Sequence, residues 1–306
     1  MPGRSLPVSL LVSLRPEQWT KNSLVFAGLM FGYAERYHAV DQLQIGPALV
    51  RSLAAFAIFC ALSSVVYLLN DVADRDGDRQ HPLKCRRPIA CGDLPVGTAL
   101  IAAAVLAAAG LSAGFALSPS FGIVALAYVS LVTLYSMRLK HVVILDVLTL
   151  SIGFVLRAVA GAVVIDVAIS HWLLVCTILL ALFIALSKRR HELVLLADRA
   201  AGHRRILGEY SPYLLDQMIS VVTASTLIAY IFYTISPETE QKFQTHWLGL
   251  TIPFPLYGIF RYLYLVHQKE GGGSPTTMLM NDRPLLACVA LWAIAVAVII
   301  YWPFGF

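Results

Sequence analysis

Charge is scarce in this chain. Of its 306 residues only 13% are charged, about half the roughly 25% of a soluble domain, which excludes a water-soluble globule with a conventional charged surface. The five cysteines (Cys60, Cys85, Cys91, Cys176, Cys288) fall at irregular spacing, which suggests neither a disulfide scaffold nor a zinc framework. The eight histidines are scattered, and no two stand at helical metal-ligand spacing. No period of about 20–50 residues repeats, so solenoids and propellers drop out. No loop is long enough to fold as a soluble domain. An apolar stretch, Leu6 to Leu14, follows Arg4 without a small-residue cleavage site before RPEQWTKN at 15–22; Met1 is therefore expected to remain in the mature chain.

Apolar residues are abundant: 58% of the chain is hydrophobic and mean hydropathy is +0.73, the composition of an integral membrane protein. The net charge of +5 and pI near 9.0 are read first as membrane topology, and no nucleic-acid partner is expected. Crossing about 30 Å of hydrocarbon takes roughly 20 apolar residues. Nine segments meet that need, near 20–35, 50–69, 97–117, 119–136, 143–165, 170–187, 214–235, 244–266 and 285–303. With the N-terminus and the loops after even-numbered segments on one side, that side holds 19 of the 23 Lys and Arg, which marks it as cytoplasmic. Residues 1–306 are expected to form one all-α polytopic membrane domain. GGGSPTT at 271–277 reads as a flexible connection, with a phosphate cradle as the alternative.

The most specific pattern is NDVADRDGD, Asn70 to Asp78, at the cytoplasmic end of the second segment. At about 100° per residue, Asp71, Asp74 and Asp78 share an arc of roughly 60°, with Asn70 beside them and Asp76 pointing away. Carboxylates on one face repel one another, and a divalent cation relieves the conflict. Hard oxygen donors suit Mg²⁺, which commonly completes its shell with water and substrate phosphate. The alternative is a solvated acidic helix end neutralised by RQHPLKCRRP, which follows. That run supplies Arg79, Lys84, Arg86 and Arg87, and a cationic loop beside a metal site describes a diphosphate site. Lipid headgroup contact competes with this reading and is preferred for Arg86, but not for Lys84 and Arg87.

Other cytoplasmic ends repeat the polarity. Gln18, Trp19, Lys21 and Asn22 open the first segment, Tyr135 and Lys140 close the fourth, and KRRHE (188–192) closes the sixth. Glu192 lies i+4 from Lys188 and i+3 from Arg189, so one carboxylate can orient both cations. Asp146 opens the fifth segment, where a negative charge favours the helix dipole. Arg157 lies about 16 Å deeper in that segment. Its insertion cost of about 2.5–3.5 kcal/mol demands an interior environment, either an acceptor phosphate or carbonyl groups of neighbouring helices.

These residues resemble the UbiA prenyltransferase superfamily, a nine-helix bundle with an NDxxDxxxD motif after its second helix, here Asn70, Asp71, Asp74 and Asp78. The resemblance implies a second acidic motif, DxxxD, after the sixth helix; this chain has KRRHE there. With RPEQWTKN, YSMRLKH (135–141), LRAVAGA (156–162) and SKRRHEL (187–193), that departure resembles the decaprenyl-phosphate phosphoribosyltransferase branch. The implied reaction is Mg²⁺-dependent transfer of 5-phosphoribose from phosphoribosyl diphosphate (PRPP) to a polyprenyl phosphate, releasing pyrophosphate, at the cytoplasmic rim of a bacterial plasma membrane. Asp71, Asp74 and Asp78 would be catalytic metal ligands. Lys21, Asn70, Arg79, Lys84, Arg87, Tyr135, Lys140, Arg157, Lys188, Arg189 and Glu192 would bind substrate. Competing readings are ordinary prenyl transfer to an aromatic or lipid acceptor and, from another class, secondary transport. A homo-oligomer is left open.

Overall fold

Proline sets many helix starts. It stands in the opening turns of the helices that begin at Leu6, Pro88, Pro119, Pro212, Pro237 and Pro253, where its missing amide proton costs no intrahelical bond. The computed structural model describes residues 4–30, 45–80, 84–168, 170–195, 208–269 and 275–301. Among these every regular element is helical. The chief helices are α1 (Leu6–Leu14), α2 (Ile45–Ala73), α3 (Arg75–Gln80), α4 (Val96–Leu117), α5 (Pro119–Met137), α6 (Leu145–Val164), α7 (His171–Leu195), α8 (Pro212–Ile235), α9 (Pro253–Gln268) and α10 (Arg283–Tyr301). Of these, α2, α4 to α8 and α10 make seven helices long and apolar enough to cross a membrane.

The two remaining expected segments fold differently over the described residues. Pro16–Phe26 winds as a 3-10 helix, and the segment expected at 20–35 passes beyond the described residues after Met30. The segment expected at 244–266 is divided: Trp247–Thr251 is a 3-10 turn, and α9 begins afresh at Pro253 with 16 residues, about 24 Å of helix. Glycines 271–273 and Ser274 of the expected flexible connection lie outside the described residues. The link between α4 and α5 is a single extended residue, Ser118 (φ −166°, ψ 134°), followed directly by Pro119.

The chain divides into two compact units, Met1–Leu29 with Gln44–Ala168, and Met30–Leu43 with Ile169–Phe306. In the first, Phe59 meets Phe121 edge-on at 5.8 Å and Tyr128 at 5.1 Å, in a core with Leu62 and Ala125. Helix association in lipid depends on close backbone approach rather than on apolar burial, and this unit achieves it with glycine. A Cβ on Gly161 would collide with the Val25 carbonyl oxygen, and one on Gly28 would lie 2.6 Å from Gly161 backbone atoms. The N-terminal segment therefore crosses α6 backbone against backbone, with Asn22 held against the same helix. In the second unit, Tyr233, Phe243, Leu248, Val296 and Ile300 form the core. Beside them Trp292 Nε1 donates to Tyr230 Oη at 2.8 Å. Ile101, Val105, Ile123, Val221 and Ile294 are exposed on their helices, as lipid-facing residues are.

Candidate active site

Helical register carries through the acidic motif. The Asp74 amide donates to the Asn70 carbonyl at 2.9 Å and the Asp78 amide to the Asp74 carbonyl at 2.8 Å, so the change from α2 to α3 preserves the i to i−4 pattern. Of the three carboxylates expected on one face, Asp71 is 2% exposed and Asp78 5%, Asp74 is 37% exposed, and Asp76 points away at 91% exposed. Asn70 is half-buried beside them.

Three cations meet the three carboxylates. Arg87 Nη1 lies 3.1 Å from Asp71 Oδ1 and 2.6 Å from Asp78 Oδ2. Lys140 Nζ lies 2.5 Å from Asp74 Oδ1. Arg15 Nη2 lies 2.5 Å from the same Asp71 Oδ1 that Arg87 contacts. Arg87 is placed by the fold of its own loop: its amide donates to Lys84, Pro88 starts a short helix behind it, and Arg79 Nε donates to the Ala90 carbonyl at 3.0 Å. Arg15 ends α1 in the left-handed region (φ 53°, ψ 62°), and its guanidinium lies 5.1 Å from the Tyr67 ring centre. Buried charges of this kind stand only when paired.

Among the described residues no three His, Cys, Asp or Glu side chains converge as a metal cage. The donor set nevertheless fits Mg²⁺, which needs only one or two carboxylates when water and substrate phosphate supply the rest. Arg87 Nη1 occupies a point where one positive centre already touches both Asp71 and Asp78.

The remaining predicted residues fall into distinct settings. In the first unit Lys84 is exposed, Lys21 is half-buried and Tyr135 is buried in the last turn of α5. Asp146 is fully buried in the first turn of α6. In the second unit, Glu192 holds Arg189 at 2.6 Å and Lys188 at 3.9 Å, as the i+3 and i+4 spacings predict.

Arg157 is held inside the protein by side chains of two neighbouring segments and by one carbonyl of its own helix, not by the carbonyl groups of neighbouring helices. Its Nε donates to Asn22 Oδ1 at 2.9 Å, Nη1 to the Gly153 carbonyl at 3.0 Å and Nη2 to Tyr128 Oη at 2.7 Å. The guanidinium also lies over the Tyr128 ring at 4.7 Å. With three chain acceptors engaged, the residue braces the interior of the first unit.

Three contacts escape local sequence patterns. Arg15 reaches Asp71 across 56 positions, and Arg157 reaches Asn22 across 135. In the second unit Arg190 Nε pairs with Asp216 Oδ1 at 2.5 Å, with His267 Nε2 at 3.3 Å from the same oxygen.

Comparison with known proteins gives concordant findings. The profile described as the UbiA prenyltransferase family matches residues 25–282. A decaprenyl-phosphate phosphoribosyltransferase of Mycolicibacterium smegmatis is 31% identical, over 98% of this chain and 95% of that protein. The protein of the same name from Corynebacterium glutamicum is 31% identical over 98% of this chain and 89% of its own length. Among solved structures, a UbiA homolog from Archaeoglobus fulgidus bound to GPP and Mg²⁺ aligns with a TM-score of 0.70 at 19% identity, covering 95% of this chain and 99% of that one.

Proposed function

The chain belongs to the UbiA prenyltransferase family, and from that premise we propose that it transfers 5-phosphoribose from 5-phosphoribosyl diphosphate to a polyprenyl phosphate, releasing pyrophosphate. The observation that carries this reading is the end of α7. Where the family resemblance implies a second carboxylate motif, Lys188 and a 3% exposed Arg189 share Glu192. Cations there suit substrates that bring phosphate groups beyond one diphosphate, as a phosphoribosyl donor and a lipid phosphate do. Near-full-length relatives named for this transfer support the same choice.

In this mechanism the C1–O bond to the diphosphate breaks while a lipid phosphate oxygen bonds to C1. The acceptor is ionised at neutral pH, so no side chain need act as a strong base. Asp71, Asp74 and Asp78 would hold Mg²⁺ on the donor diphosphate. When bound, the ion supplies electrostatic stabilisation of charge on the leaving pyrophosphate. Arg87 and Lys140, already at the carboxylates, take diphosphate oxygens, with Lys84, Arg79 and Lys21 as further cationic contacts. Asn70 and Tyr135 contribute hydrogen bonds. Lys188 and Arg189, oriented by Glu192, bind phosphate of the donor or of the lipid.

The chain is further read as one polytopic domain of nine crossings in a bacterial plasma membrane, with its N-terminus and chemistry on the cytoplasmic side. The concentration of Lys and Arg in alternate loops supports that orientation. Pyrophosphate release by purified protein tests the reaction. Release is expected with phosphoribosyl diphosphate plus polyprenyl phosphate and not with prenyl diphosphate plus hydroxybenzoate; release with the second pair alone would overturn the proposal.

A further inference from the structure

Asp71 carries an unusual load for a single carboxylate oxygen. Two guanidinium groups converge on its Oδ1, Arg15 at 2.5 Å and Arg87 at 3.1 Å, and the side chain is 2% exposed. The two cations are not equivalent. Arg87 bridges to Asp78 as well and is fixed by the loop that Arg79 clips to Ala90. Arg15 has one ion pair among the described residues and is itself the left-handed residue that ends α1. The Tyr67 ring beneath it offers a face on which a guanidinium can shift while remaining stabilised.

We propose that Arg15 is a placeholder cation and positioning residue: it neutralises Asp71 until metal and diphosphate arrive, then passes from the carboxylate to a diphosphate oxygen. Divalent metal arriving alone has to displace a guanidinium that gains no new anionic partner. Metal arriving with a diphosphate gives Arg15 such a partner, so the two ligands bind synergistically. Binding energy linked in this way is reciprocal: diphosphate tightens metal, and metal tightens diphosphate, by the same factor. Arg15 thereby makes metal loading conditional on a diphosphate. The proposal rests on the metal and diphosphate part of the reading above and is independent of which group is transferred.

The test uses full-length protein in detergent, Mn²⁺ detected by electron paramagnetic resonance, and inorganic pyrophosphate as the anion. In the unsubstituted protein, pyrophosphate is expected to tighten Mn²⁺ binding. Arg15→Met is expected to bind Mn²⁺ alone more tightly by about ten- to a hundredfold, the scale of one charge-assisted hydrogen bond, and to show a smaller pyrophosphate enhancement. Arg15→Lys, which keeps the charge and loses the fork, should fall between the two and carries the test if the methionine variant does not fold. A purely structural Arg15 would produce the opposite sign, weaker metal binding on substitution. Unchanged or weaker Mn²⁺ affinity in folded variants, or an undiminished pyrophosphate enhancement, would overturn the placeholder role. Absence of Mn²⁺ binding in every protein, with or without pyrophosphate, would instead overturn the metal assignment beneath it. Phosphoribosyl transfer failing while these titrations behave as described would leave the role of Arg15 standing and remove only the choice of donor.

Discussion

Replacing Asn22 by Leu isolates the energy of the bond that ties the N-terminal segment to α6. Its carboxamide oxygen accepts from Arg157 Nε at 2.9 Å, and its Nδ2 donates to Ser63 Oγ at 3.2 Å. The first bond involves a buried charge and is worth about 1.5–3 kcal/mol, the second about 0.5–1.5 kcal/mol. Asn22→Leu is therefore expected to destabilise the protein by about 2–4.5 kcal/mol. In an Arg157→Met background only the neutral contacts from Nδ2 to Ser63 Oγ and Cys60 Sγ remain to be lost, so the second substitution should cost about 0.5–1.5 kcal/mol. The difference, a coupling of about 1.5–3 kcal/mol, is what a double-mutant cycle measures. Equilibrium unfolding of the four proteins in mixed micelles supplies the numbers. Because Asn22 is 0% exposed and Arg157 6% exposed, the coupling should persist in high salt, unlike a surface pair. A coupling near zero would refute the brace.

Three further outcomes follow from particular contacts. Gly161→Ala places a methyl group against the Val25 carbonyl, and neither backbone can yield as a side chain can; a loss of at least about 1–3 kcal/mol is expected, measured by the same unfolding assay. Glu192→Gln removes the carboxylate shared by Arg189 and Lys188; the KM of a phosphate-bearing substrate should rise about tenfold, equivalent to about 1.4 kcal/mol, with Mn²⁺ affinity unchanged, and a parallel loss of metal binding would count against separate roles. Asp282 accepts from Arg261 at 2.8 Å and from the Leu285 amide at 2.9 Å, and the hydrogen bond from Arg261, opposed by desolvation and aided by that amide, holds its carboxyl below the usual range. A depressed folded value stabilises above the unfolded pKa of about 3.9 and is lost as pH falls through the folded one. Asp282→Asn should thus melt lower than the parent protein at neutral pH, with the gap closing below about pH 4; a gap independent of pH would contradict the pairing.

What could be read from the sequence was whatever repeats within one helix. The shared face of Asp71 and Asp78, the outward turn of Asp76 and the grip of Glu192 on Lys188 and Arg189 all follow from about 3.6 residues per turn, and the structure reproduces each. Apolar length similarly marked the seven long helices. Periodicity carries no information about partners brought together by tertiary folding. Arg15 opens RPEQWTKN, yet nothing local points it at Asp71, because the contact depends on the left-handed turn that ends α1. The depth of Arg157 was legible, whereas its acceptors on Asn22 and Tyr128 depend on the glycine crossing at Gly28 and Gly161. Hydropathy also could not foresee the 3-10 winding at Pro16–Phe26 or the break before Pro253, since composition fixes apolar length and not the hydrogen-bond pattern.

The decisive measurement is mass spectrometry of the lipid fraction after incubation with Mg²⁺, phosphoribosyl diphosphate and a polyprenyl phosphate. A polyprenylphosphoryl-5-phosphoribose ion is expected, formed in equal amount with pyrophosphate and absent from Asp71→Asn. An unmodified polyprenyl phosphate, beside a prenylated product when prenyl diphosphate and an aromatic acceptor are supplied, would contradict the proposed transfer.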